Sequence, residues 1–490
     1  MNEILEKNLS LVETLQPKDV FKYFAEISSI PRGSGNTNKI VQYLINFAIN
    51  NNLKYDKDSF NNVIITKEGK SNIKSAITFQ AHIDMVCVKS DDCEKDLTKE
   101  GIDLVIEGDY LKADKTSLGA DDGIGVAIIL AVLANGIDYE RNIIGVFTSD
   151  EEKGMVGAKH LEISNVNSKF FVNLDSESYG EIVLGCSSGF HLILNKKYSF
   201  EKIEEESYLF DIELSGGLGG HSAIEITKDR LNANIMLTRV LYELAKEVKI
   251  RLVKIDGGTF DNIIPNKCFA TIAVSVNDKD KIINSLMKYN QILKQEYENS
   301  DSGILMSYKT SDEAKNHIAI SFDDTINVLK MLYIMPNGLM DIMLDFPDVA
   351  ETSMNLGKIV LSEGKCAISY MVRSAVGTKC IYASNKIIEI AKLFGFDVIS
   401  SNSYPEWKYK RQSYLRDKIE ELSYRINNDK LVPKVTHGGL ECGIILSNVE
   451  DIDAISIGPT IDNPHSINEK LTVSTVSKIY NVILKLISEL

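Results

Sequence analysis

The chain has no CxxC pair, no stretch of ~20 apolar residues and no surplus of basic charge, and each absence removes a class of protein. Seven cysteines (Cys87, Cys93, Cys186, Cys268, Cys366, Cys380 and Cys442) lie scattered through 490 residues. That odd, unpaired distribution excludes a disulfide scaffold and a cysteine-type zinc finger, and it fits a reducing cytoplasm. The longest near-continuous apolar run, GIGVAIILAVLANGI at 123–137, falls short of a membrane span and reads as a buried helix. Asp and Glu number 69 against 54 Lys and Arg, a net charge of −15. The phosphate-neutralising surface of a nucleic-acid binder is therefore not expected, and neither is a membrane partner; small molecules or peptides are. The start, MNEILEKNLSLVETLQ, lacks the apolar core and small-residue cleavage site of a secretory signal, so the mature chain is expected to begin there.

What is present has the texture of more than one domain, since 490 residues exceed what a single compact core serves. After helical patterns near 18–28 and 36–51, short apolar or β-branched runs at 62–66, 76–82, 143–148 and 170–174 alternate with helical stretches. That alternation predicts an α/β domain with a largely parallel sheet flanked by helices. From about 188 the pattern changes to period-two alternation (FHLILNKKYSF, SYLFDIELSG, KCFATIAVSV) broken by helices such as LNANIMLTRVLYELAKEV, which predicts a separate α+β domain. The segment SNSYPEWKYKRQ at 401–412, with the only tryptophan, Trp407, marks a boundary before helix and strand texture returns. The expected organisation is a first catalytic part at 1–187, an insert at 188–404 and a second catalytic part at 405–490.

Four predicted strands end in ionisable groups that a buried strand would avoid: QAHIDMV, TSDEEKG, VNLDSE, and DIDAISIGPT leading into IDNPHS. In open α/β sheets ligands bind beyond the carboxyl ends of the strands, so His82, the 150–152 acids, Asp175 and His465 can converge there. Clustered carboxylates repel and lose hydration unless positive charge sits among them, and no basic run accompanies these strands. A metal cluster would supply it. His82-x-Asp84 places both side chains on one side of an extended chain, one to ligate and the other to hold the ring from behind. Asp121, in SLGADDGIG, sits where a helix N-terminus favours an ionised carboxylate. Glu151 and Glu152, if locally extended, point to opposite sides, one to metal and the other to substrate as a proton shuttle. Histidine and carboxylate without thiolate suit catalytic Zn²⁺, with Mn²⁺ or Co²⁺ as alternatives, and a carboxylate shared by two such ions makes a centre for amide hydrolysis.

In order, FQAHIDMV, TSLGADDGIGVA, TSDEEKGMVGA, NLDSE, GGLGGHSA, HGGLECG and IGPTIDNPHSINE resemble the successive motifs of the dinuclear-zinc aminoacyl-histidine (Xaa-His) dipeptidases of the peptidase D type. These lie within the family that includes carboxypeptidase G and the carnosinases. The resemblance implies a zinc-peptidase-like catalytic domain with an inserted lid, and two divalent ions: His82 and Asp175 on one, Glu152 and His465 on the other, and Asp121 bridging. It implies Glu151 as general base, Asp84 orienting His82, and a cis peptide after Asp121. From the lid it implies His221 steadying the oxyanion, Asn262 contacting substrate, and Arg373, whose planar fork matches a peptide's terminal carboxylate. A short peptide with a free C-terminus is the implied substrate and a homodimer the implied assembly. An N-acyl amino acid deacylase or tripeptidase on the same fold is the second reading.

The chain departs from the family pattern at Ala223, at Phe260-Asp261 before the N-x-I-P element, and in PHSINE, which bears on specificity rather than on the ligands. Taken alone, each histidine has a plain structural reading; His160, His191 and His317 have no partner pattern and read as surface or packing residues, and His437 receives no role. GCSSG at 185–189 fits a nucleophile elbow centred on Ser187, but the residues after it continue in strand alternation where the elbow needs a helix.

Overall fold

The computed structural model describes residues 3–490 apart from 72–74, 138, 162–167, 204–205, 312–313, 315–316, 448 and 450. It divides into two compact units. The first comprises Met1–Gly185, Tyr409–Val435 and Leu440–Leu490, and the second Cys186–Lys408 with Thr436–Gly439. The short piece Thr436–Gly439 thus groups with the insert, although it lies inside the expected 405–490 segment.

An eight-stranded mixed sheet centres the first unit, in the spatial order Lys54–Lys57, Val63–Lys67, Ile143–Thr148, Ala76–His82, Ser168–Asn173, Asp453–Ser456, Glu181–Cys186, Val432–Thr436. The middle pairings are parallel, while Lys54–Lys57 and Val63–Lys67 add on antiparallel at one flank. Ala76–His82 and Ile143–Thr148 are buried at every position, as expected of strands covered on both faces. One cover is the helix Ala120–Ala134, buried from Ala120 to Leu133, which packs on Lys18–Ser28 and on Ala76–His82. Its apolar run spans a core, not a membrane; among the described residues no helix is long and apolar enough to cross one. Asp121 and Asp122, joined by a cis peptide bond, have non-helical backbone angles, so regular helix begins only after them. The C-terminal helix Val473–Glu489 buries Val476, Ile479, Tyr480, Ile483, Leu486 and Ile487 at helical spacing in the same core.

The second unit is built on a nine-stranded sheet in which Ser207–Ser215, Ile250–Gly257, Cys268–Ser275, Ala350–Ser362 and Lys365–Ser374 pair antiparallel. Ser188–Lys197 lies between Lys365–Ser374 and Asp397–Tyr404, so a strand follows Ser187 where a nucleophile elbow would turn into a helix. The helices Ala233–Glu247, Phe322–Ile334 and Gly377–Leu393 bury apolar faces in a second core that includes Leu237, Leu241, Val328, Leu332, Ala383 and Ile387.

Gly145 shows how tightly the first core closes, because a Cβ there would lie 2.7 Å from Ile129 Cγ2 and 3.1 Å from Leu133 Cδ1. Gly145→Val is expected to overpack this contact and cost about 1–3 kcal/mol, read as a lowered urea midpoint of the full chain.

Candidate active site

Parallel register brings the predicted ligands to one edge of the first unit's sheet. His82 is the last residue of its strand and pairs with Thr148, while Gln80 on the same strand pairs with Asn173. Glu151, Glu152 and Asp175 follow these strand ends by two to four residues. His82 Nε2 stands 3.0 Å from Asp121 Oδ1 and 3.5 Å from Asp175 Oδ1. His465 Nε2 stands 2.9 Å from Asp121 Oδ2 and 2.7 Å from Glu152 Oε1. The two oxygens of one carboxylate thus face two imidazoles, each with a further carboxylate beside it. Ligand atoms of His82, Asp121 and Glu152 lie within 4.8 Å of one another.

Asp84 is fully buried behind His82. Its Oδ1 is 3.6 Å from His82 Nδ1, and it accepts hydrogen bonds from Ser34 Oγ (2.7 Å), Glu151 N (3.0 Å) and Glu152 N (3.3 Å). One carboxylate therefore fixes both the ring and the adjacent glutamates. Those glutamates are not extended, as alternation would have them, but stand on a turn closed by Gly154 N to Glu151 O at 2.9 Å. Asp150 and Lys153, which flank the pair, bind the backbone of the 34–35 loop, Asp150 accepting from Gly35 N and Lys153 donating to Ser34 O.

The electrostatics of this pocket are those of an anionic cavity short of cations. No lysine lies within ion-pairing distance of Asp84, Asp121, Glu152 or Asp175 among the described residues; the two imidazoles are their partners. Hydrogen bonds to Asp121 and Glu152 push the His465 imidazole up to about 11. Burial alone would lower His82, but Asp175, Asp121 and Asp84 outweigh it and raise it well above its ordinary value. Asp121 is the opposite case: bonds to both rings hold its carboxyl far below the usual range against the effect of burial. Burial first, and then neighbouring carboxylates, raise Glu151 well above its ordinary value and push Asp175 and Glu177 up to about 7. The surrounding carboxylates thus favour the protonated, cationic form of both imidazoles. Nitrogen and oxygen donors around such a deficit of positive charge fit divalent ions.

Glu441 and Glu177 gave no signal of their own in sequence, although both lie in segments the resemblance covers. Glu441, completely buried, accepts from Gln80 Nε2 (2.7 Å) and Thr148 Oγ1 (2.6 Å), and Gln80 Oε1 accepts from Asn173 Nδ2 (2.7 Å). This web ties the three central strands together just below the ligands.

In the second unit, His221 and Asn262 are neighbours: Gly220–His221 pairs with Ile263–Ile264, and Asn262 O accepts from Ser222 N at 2.8 Å. Asn355 Nδ2 donates to the carbonyls of Asp261 (2.7 Å) and Ile263 (2.8 Å), clamping the loop on either side of Asn262. His221 Nδ1 accepts from Ala223 N at 3.3 Å, which assigns the ring proton to Nε2 and leaves it free to donate. Burial and the nearby Arg373 charge lower the His221 pKa, keeping the ring neutral. Arg373 is buried, bonded through Nη1 to the Tyr404 hydroxyl, and has no acidic partner among the described residues. Gly189 opposite makes this possible, since a Cβ there would lie 2.3 Å from the Tyr404 ring. Two histidines given no partner in sequence acquire them: His191 Nδ1 pairs with Asp261 Oδ2 at 2.6 Å, and His437 bridges Ser187 Oγ (2.9 Å) and Ser353 Oγ (2.7 Å). Burial and Arg373 push His437 down to about 3.

Residues 62–198 match the family model described as peptidase family M28, and residues 212–301 match the peptidase dimerisation domain. The cytosol non-specific dipeptidase of Escherichia coli is 31% identical over 484 residues, spanning 98% of this chain and 99% of that protein. The crystal structure of aminoacylhistidine dipeptidase from Vibrio alginolyticus superposes with a TM-score of 0.90 at 32% identity, covering 98% of each chain. At 16% identity, the aminopeptidase PepT of Bacillus cereus shares the fold, with a TM-score of 0.55 over 97% of this chain and 99% of that one. With the relationship running through both units from end to end, this chain belongs to the family of the cytosol non-specific, or aminoacyl-histidine, dipeptidases.

Proposed function

We propose that this protein is a metal-dependent dipeptidase that hydrolyses the single peptide bond of short substrates with a free C-terminus, Xaa-His dipeptides among them. The observation that carries this reading is the Asp121 carboxylate, with one oxygen 3.0 Å from His82 and the other 2.9 Å from His465. Around it, His82 and Asp175 would hold one ion, Glu152 and His465 a second, and Asp121 both; zinc suits the donors, with manganese or cobalt able to replace it. When bound, such ions supply Lewis acidity, which polarises a carbonyl and makes water acidic enough to attack near neutral pH.

The remaining steps belong to side chains. Glu151, raised by burial and surrounding carboxylates, takes the proton of the attacking water and returns it to the leaving amine. Asp84 keeps His82 oriented while holding the backbone that presents Glu151. His221 donates through Nε2–H to the developing oxyanion, a role that a neutral ring with Nδ1 already occupied can fill. Arg373, a buried cation without an acidic partner, receives the substrate carboxylate, and Asn262 contacts the peptide beside it. The relative named for the cytosol supports a cytoplasmic location, and the match to the peptidase dimerisation domain supports a homodimer.

Glu151→Gln is expected to leave metal content unchanged and to lower kcat by about 10²–10⁴-fold, measured by metal analysis and steady-state kinetics on the same preparation. Activity retained in that variant overturns the assignment of the base. Purified protein assayed with Xaa-His dipeptides, other dipeptides, tripeptides and N-acetyl amino acids is expected to favour dipeptides; preference for an acetylated substrate over every dipeptide would sink the reading.

Asp121 and Glu152 push the His465 imidazole up to about 11, which favours the charged ring near neutral pH. Coordination needs the neutral ring, so binding must expel that proton, and apparent metal affinity rises with pH across the neutral range. Calorimetric titration with Zn²⁺ or Mn²⁺ near pH 7, in buffers of different ionisation heat, should show release of about one proton or more per chain. Zero release contradicts His465 as a ligand.

A further inference from the structure

Two buried charged residues that the proposed reaction does not use meet on opposite sides of the segment carrying Asp121. Glu469 accepts hydrogen bonds from four successive backbone amides: Leu118 N at 2.8 Å, Gly119 N at 2.9 Å, Ala120 N at 2.7 Å and Asp121 N at 3.3 Å. Arg32, 2% exposed, takes carbonyls instead. Its Nη1 donates to Ile83 O (3.0 Å) and Asp84 O (3.1 Å), and its Nη2 donates to Gly119 O. Gly119 has a φ of +66°, and a Cβ there would sit 2.6 Å from Arg32 Nη2, so the guanidinium reaches this carbonyl only because the residue is glycine.

Each of the two charges ties together strands of chain that bear different ligands. Arg32 links the His82–Asp84 segment to the Asp121 segment. Glu469 links the Asp121 segment to the turn carrying His465, and that turn is internally bonded: Ser466 Oγ donates to Asn463 O (2.8 Å), Asn468 N to Ser466 Oγ (3.1 Å) and Glu469 N to Ser466 O (3.2 Å). With the amides of 118–121 held on one side and the Gly119 carbonyl on the other, the Asp121 side chain has little freedom to swing toward either histidine. A carboxylate that accepts several backbone amides is also among the stronger hydrogen-bonded groups a protein offers.

We propose that Glu469 and Arg32 are positioning residues that set the aim of the two Asp121 oxygens, and so make occupation of the second metal position possible. The inference rests on the reading of Asp121 as the ligand shared by both ions. It assigns the pair no contact with substrate.

Full-length protein stripped with chelator and titrated with Mn²⁺ tests it, with stoichiometry and stepwise affinities read by calorimetry. Glu469→Gln keeps the side-chain volume but sets an NH₂ group against backbone N–H donors. It is expected to weaken the second ion about ten-fold or more, with the first ion changed much less and kcat falling further than KM rises. Arg32→Lys, which keeps the charge but cannot span three carbonyls, is expected to act in the same direction. A residue that only supported the fold would lower the Tm of the metal-free protein while both affinities stayed at wild-type values below that Tm, and that result overturns the proposal. If Glu469→Gln does not fold, Glu469→Asp is judged by the same two affinities. If the wild-type chain itself takes up fewer than two ions, the shared-ligand reading fails instead.

Discussion

Carboxylates crowded into a space with little water and little positive charge are the constraint around which the first unit is arranged. Asp84, Asp121, Asp122 and Glu441 are all at most 7% exposed, and Glu151, Glu152, Asp175, Glu177 and Glu469 act on the same pocket. Such a group is stable only if its members accept hydrogen bonds, share protons or surround cations. The chain uses the first two where it can. Asp84 and Glu469 accept from backbone amides and one oxygen of Glu441 from Gln80 and Thr148, while Glu151 and Asp175 are shifted toward their neutral forms. What remains, Asp121 between two imidazoles, is the portion that divalent ions can complete.

The second unit has the complementary electrostatics. Its cluster centres on one buried guanidinium, and the imidazoles near it, His221 and His437, are held neutral by that charge and by burial. Neutral rings with defined hydrogen-bond partners act as donors and acceptors of fixed direction. One unit therefore gathers carboxylates around two imidazoles, and in the other a buried guanidinium lies near two imidazoles whose pKa values it lowers.

Much of this was legible in the sequence, for identifiable reasons. An apolar run that ends abruptly in His or Asp departs from what a buried strand tolerates, so His82, Asp175, His465 and the 150–152 acids stood out, and Asp121 stood out at a helix N-terminus. The helix after GADDG was legible from its apolar run, GIGVAIILAVLANGI, and the texture changes to period-two alternation from about 188. Arg32 was not legible, because a single arginine in a loop has no periodic or compositional signature, and its importance comes from three carbonyls contributed by distant segments. Glu469 was hidden in the same way, since the amides it accepts are about 350 positions away. The turn at Glu151 defeated the extended-strand argument because its geometry depends on Asp84, a tertiary partner. His191 looked solitary until Asp261 was placed beside it, on the loop where the chain departs from its family.

The order of Asp121 and His465 along the chain has a consequence for biogenesis. Asp121 is made 344 residues before His465, and the whole second unit is translated in between. During synthesis the side chains gathered around Asp121 must wait, incomplete, until the turn carrying His465 and the helix Val473–Glu489 leave the ribosome and dock. Completion of the acidic pocket is therefore a late step in the protein's maturation, and a nascent chain truncated before that turn carries the pocket without the ring that closes it.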